Sequence, residues 1–190
     1  MTLLLRVGHA LGPFHPAPGE FARHHVVRVG WETPKLVGEV ERSAWERALG
    51  RPDPGTDPAV LDALVARGLV ARVADSREAR LAFARTHRVQ PLGAGTLPTD
   101  DGGRVLGTWS RPGADADPEA FDIWAWAHLF PTLEAAAAGL AGASSIAAGG
   151  PQPPTGDAVL DRLLERLPEL MAAELLYLDL PRDAVDEPRP

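Results

Sequence analysis

The sequence predicts an α+β fold, and three observations carry that prediction. Short apolar runs of strand length, such as residues 3–7 and 69–73, alternate with amphipathic runs of helix length. Nineteen Gly and nineteen Pro in 190 residues demand many turns and short elements. The helix-length runs also carry start and stop signals, with Asp-Pro at 57–58 and 117–118 and a glycine at 68. At 45% hydrophobic and 24% charged, the composition is globular and the chain is long enough to bury a core.

Residues 3–7 read as a strand. The apolar N-terminus lacks a basic region and a small-residue cleavage signature, so it does not read as a signal peptide. VVRVG and KLVGEV flank GWETP, whose Thr-Pro pair favours a turn, and together they predict a β-hairpin. A first helix covers about 42–49, opened by Ser43 with Glu46 three residues on, and buries Trp45 and Leu49. GRPDPGTDP stops it. Asp57 then caps a second helix with Pro58 at its first position, and Gly68 suits the left-handed residue that ends one. Residues 69–73 follow as a strand, and Ser76 to Thr86 as a third, Arg-rich helix with Leu81 and Phe83 toward the core.

Residues 88–92 and 104–109 read as a second hairpin, turning at Asp101-Gly102-Gly103. Asp117 and Pro118 start a helix through FDIWAWAHLF, apolar nearly all round as a buried helix is. Pro131 ends that segment or opens the next, which runs to about 141, and residues 142–156 read as a linker. The last helix, 157 to about 167, aligns Leu160, Leu163, Leu164 and Leu167, and Pro168 kinks or restarts it. AELLYLDL finishes as helix or as edge strand. The expected organisation is a unit at 1–86, a hairpin plus helical part at 87–180 packed on it or forming a second lobe, and a loose tail at 181–190.

The succession LVGEV, ERSAWERAL, a Pro/Asp/Gly break, DPAVLDALVARG and LVARV over residues 35–73 resembles a winged-helix module. The resemblance implies a small sheet beside its own helices and a binding role, toward DNA or toward protein. The order of hairpin and helices is also similar to the peptide-binding winged-helix modules of ribosomal-peptide modification pathways, which take a leader peptide as an added strand. The helix in the recognition position, PAVLDALVARG, offers Asp62 and Arg67 and almost no base-reading donors, which turns it toward packing or protein contact.

With no cysteine, disulfides, thiolate catalysis and thiolate metal sites are excluded. The Ala/Gly-rich run at 133–150 contains Glu134 and supplies little transfer energy, so no membrane span is expected and the cytoplasm is the expected location. A formal charge of −7 opposes general nucleic-acid affinity. Charge is unevenly spread, however. Residues 67–88 hold six Arg against two acids, and residues 157–190 hold nine acids against four Arg, so the two segments are expected to attract each other or a charged partner.

Arg72, Arg77, Arg80, Arg85 and Arg88 are therefore the candidate partner-binding residues; a solvated, locally paired face is their plainer use. Trp124 and His128, one helical turn apart, are a candidate aromatic pocket with a polar handle, or simply core. His9, His15, His24 and His25 crowd together, but adjacent histidines on a strand point to opposite faces, and no metal or other cofactor is assigned. No GxSxG and no phosphate loop occurs. The function expected is non-enzymatic: an adaptor or regulatory module with a protein or peptide partner. A DNA-binding regulator using residues 67–88 is the alternative, and a small-molecule enzyme around Trp124 and His128 the third. The leucine stripe at 160–167 serves a homodimer or packing within the chain.

Overall fold

The computed structural model describes residues 2–14, 24–93, 96–98, 104–108, 111–148 and 154–181. In chain order these form β1 (Leu3–Arg6), β2 (His9–Phe14), β3 (His24–Arg28), β4 (Lys35–Leu36), α1 (Gly38–Glu46), β5 (Leu49–Gly50), α2 (Pro58–Ala66), β6 (Val70–Val73) and α3 (Arg77–Thr86). They continue as β7 (Arg88–Pro91), β8 (Thr96–Pro98), β9 (Arg104–Thr108), β10 (Arg111–Ala116), α4 (Pro118–Trp126), a 3-10 turn (Ala127–Leu129), α5 (Leu133–Ala148), α6 (Gly156–Ala172) and β11 (Leu176–Asp179). The fold is α+β, with antiparallel sheets ordered β5-β1-β6, β2-β3-β4 and β8-β9-β10 and a β7-β11 pair.

β1 lies at the centre of its sheet, and its successive residues point to opposite faces. Both faces are covered. Leu4 joins a core cluster with Val27, Trp45 and Leu64, whereas Leu5 joins a larger one with Phe83, Leu133, Leu163 and Leu178. A strand buried on both sides needs a continuous apolar run, which accounts for three leucines in succession. The larger cluster draws on residues from both sides of position 87.

Asp57 caps α2 by accepting from the Ala59 N–H at 2.9 Å. Gly68 then takes φ 68°; its N–H donates to the Val65 carbonyl at 3.0 Å, and the Leu69 N–H reaches back to Leu64 at 2.9 Å. These are the two bonds of a Schellman motif, and they release the chain into β6, antiparallel to β1. α3 follows β6 directly, so the strand beside β6 comes from the N-terminus and not from a returning hairpin. The predicted first hairpin is β3-β4, with Val26 opposite Lys35.

Several expectations are corrected. α1 starts at Gly38, not at 42, and Ser43 lies inside it; the Glu41 carboxylate accepts the Val37 N–H at 2.8 Å in place of a side-chain cap at the first residue. Leu49 leaves the helix to pair with Leu5 and is only partly buried. β7 pairs with β11, so it is not the partner of β9, which lies between β8 and β10; residues 101–103 lie outside the described residues. α5 extends through residues 142–148, because alanine sustains a helix where a linker was expected. α6 runs unbroken past Pro168 to Ala172, and AELLYLDL resolves as strand. Trp126 and Leu129 are 51% and 54% exposed, so the FDIWAWAHLF segment is not buried all round. The leucines of the 160–167 stripe are buried within the chain's own larger core. The loose tail expected after 181 falls outside the described residues. Among the described residues no helix is long and apolar enough to cross a membrane.

Candidate functional site

The five candidate arginines each face a carboxylate of the same chain. Arg72 on β6 meets Asp62 of α2 at 2.6 Å, Arg77 meets Asp157 at 2.6 Å, and Arg80 meets Asp161 at 3.3 Å and Asp75 at 3.6 Å. Arg85 forks onto Glu134 of α5 at 3.0–3.1 Å. These carboxylates raise the pKa of Arg77 and of Arg85. Arg88 lies inside, its side chain 12% exposed and 3.9 Å from the buried Asp179. The five therefore contact α2, α5, α6 and β11 separately and do not form one free basic face. The predicted attraction between the basic and acidic segments is present, through Arg77–Asp157, Arg80–Asp161 and Arg88–Asp179.

Trp124 is half-buried, with its indole N–H 3.5 Å from the Leu92 carbonyl. The Nδ1 of His128 is buried and has no partner among the described residues. Neither side chain lines the clefts described below.

A cleft of about 590 Å³ opens instead where β1 turns into β2. The turn depends on Gly8, at φ 96°; a Cβ there would sit 2.5 Å from Val27 Cγ1 and 2.7 Å from the Arg28 carbonyl oxygen. The Gly8 N–H donates to Leu178 at 2.7 Å, fastening the turn to β11. Residues 8–10 form one wall, and Leu92 and Gly93, just after β7, form another. Arg6, Trp45 and Glu46 border the cleft from β1 and α1, and Glu174 and Tyr177 from the turn into β11.

These side chains hold one another. The Arg6 guanidinium lies 5.2 Å from the Trp45 ring centroid and donates to the Met171 carbonyl at 2.8 Å. The Trp45 indole N–H donates to Val7 at 3.1 Å. The His9 and Tyr177 rings tilt against each other at 5.2 Å, and Arg28 donates a short hydrogen bond to the Tyr177 hydroxyl. Glu174 is the one non-glycine residue with positive φ among the described residues, at 57°. Its N–H donates to Met171 at 3.1 Å and the Leu175 N–H to Leu170 at 3.0 Å, so α6 ends in the same motif as α2 with Glu where α2 has Gly. Strain of that kind gathers where a side chain has a task.

Electrostatics fix the protonation states. Burial lowers the pKa of His9, with Arg28 and Arg6 adding to the effect and Glu174 opposing it, so the imidazole is neutral at pH 7. Burial raises the Tyr177 pKa against the pull of Arg28, so the phenol keeps its proton. Burial also lowers the Arg6 pKa, opposed by Glu174 and Glu46, and leaves the guanidinium charged. The described lining contains no Ser, Thr or Cys; its polar side chains are Arg6, His9, Trp45, Glu46, Glu174 and Tyr177. Among the described residues no group of three His, Asp or Glu side chains is placed to hold a metal ion.

Two other clefts are lined by described residues. One of about 550 Å³ between β1, β5 and α6 is crossed by the Arg80 ion pairs, and one of about 190 Å³ lies between α4 and α6. Sequence reasoning weighed His9 only as a metal ligand and passed over Arg6, Glu174 and Tyr177. Arg6 did leave a signal, as the only charge in the run LLLRV. The chain matches no protein-family model, no curated protein and no solved structure.

Proposed function

We propose that the chain is a non-enzymatic adaptor or regulatory module that binds a peptide, or an extended segment of a protein partner, in the cleft beside β2. The observation that carries this reading is the make-up of the walls. Residues 8–10, from the turn and the start of β2, line it together with residues 92–93, around a volume that accommodates a few side chains. His9 and Ala10 are successive strand residues that point to opposite faces, so a cleft touching both runs along the strand's edge. Such an edge offers backbone groups to an extended peptide, and the polar floor selects its side chains. A DNA partner would have to displace carboxylates from Arg72, Arg77, Arg80 and Arg85, with Arg88 out of reach.

The test is selection of ligands for the immobilised chain from a random peptide library. Selected peptides should bind the wild type and lose about tenfold or more in affinity to Ala10→Trp, an exposed position where the indole narrows the cleft. Affinity indifferent to that substitution, or a library that yields no binder, would contradict the reading.

A further inference from the structure

Arg6 leaves most of its hydrogen-bonding capacity unused within the protein. A guanidinium has five N–H donors. Among the described residues Arg6 makes one hydrogen bond, to the Met171 carbonyl. Arg6 lines the cleft, and among the described residues none of its nitrogens is a buried atom lacking a partner. The Trp45 ring centroid lies 5.2 Å from the guanidinium carbon, within cation–π range. A desolvated fork of this kind binds a carboxylate through two parallel hydrogen bonds.

The cleft also carries the opposite sign. Glu46 and Glu174 border it, Glu46 also pairing with Arg42 at 2.6 Å, and both act on Arg6 through space. With His9 neutral, the lining charges are one cation and two anions. That balance repels a polyanion and suits a ligand bearing both signs. In an extended peptide, residues two apart lie on the same side and reach neighbouring parts of one wall.

Resting on the peptide-binding reading, we propose that the cleft recognises an extended peptide with an acidic residue two positions from a basic one. The acid is anchored on Arg6, and the base faces Glu46 and Glu174.

The experiment compares peptides selected from a random library by the wild-type chain and by Arg6→Met, each checked by thermal melting. The wild type should enrich Asp or Glu at one position with Lys or Arg two residues away, and Arg6→Met should lose the acidic preference. Because Arg6→Met risks misfolding, the selected peptides are also synthesised with the acid replaced by its amide (Glu→Gln or Asp→Asn). On the unmodified protein that exchange should weaken binding about tenfold or more. Wild-type selection of neutral or singly charged peptides, or an amide exchange without effect, would overturn the inference while leaving peptide binding intact. A library with no binders at all would overturn both.

Discussion

Glu174 carries a full side chain on a left-handed backbone, at φ 57°. The motif closing α6 needs a left-handed residue, and the one closing α2 uses Gly68 for it. Glu174→Gly should therefore raise stability by roughly 1 kcal/mol, since a side chain costs about that much in this conformation. Urea denaturation measures the gain, and an unchanged or lower midpoint would mean that the glutamate is not strained. If the residue serves the cleft, the same variant should bind selected peptides more weakly. His9 and His87 set a pH dependence, because burial leads the lowering of both pKa values. The unfolded chain binds these protons at a higher pH than the native one does. Their contribution is thus fully present above the ordinary imidazole value of about 6.5 and is lost as pH falls toward the folded values. His9→Gln should flatten part of that loss in melts between about pH 6.5 and 4.5; an identical slope would contradict the assignment.

At the scale of elements, what was legible in the sequence was whatever is decided within a few residues. Asp57, Pro58 and Gly68 bound α2, and Ser76 and Asp117 cap α3 and α4, accepting from Ala79 and Ala120 at 3.2 and 2.8 Å. Asp57→Ala should cost about 1 kcal/mol, readable as a lower melting temperature. Strand partners were not legible, because they are remote. β7 finds β11 with Arg88 opposite Asp179, and a turn signature at 101–103 gave no hint of that pairing. The false start assigned to α1 has a local cause instead. Ser43 and Glu46 have capping-box spacing, but Glu41 and the Glu39–Arg42–Glu46 ion pairs support a helix that begins earlier. The candidate site was hidden as the strand partners were, since Arg6, Trp45, Leu92 and Tyr177 meet only after these remote pairings form.

Across the whole molecule, the sheet containing β1 separates two core clusters, and β11 ties them to the cleft. Asp179, at the end of β11, accepts the Gly30 N–H at 2.7 Å and the Leu180 N–H at 3.0 Å and faces Arg88. It thereby joins the β3-β4 hairpin, β7 and β11 around one buried carboxylate. Asp179→Ala strands Arg88 and the Gly30 N–H and should cost about 3 kcal/mol in urea denaturation; a cost below about 1 kcal/mol would show that the junction is not held there. The peptide-binding account is tested most directly by amide hydrogen exchange on the chain with and without a library-selected peptide. It predicts slowed exchange confined to residues 8–11 and 92–93 and the adjoining turn at 174. Unchanged exchange there, with protection along α3 and its arginines instead, would contradict it.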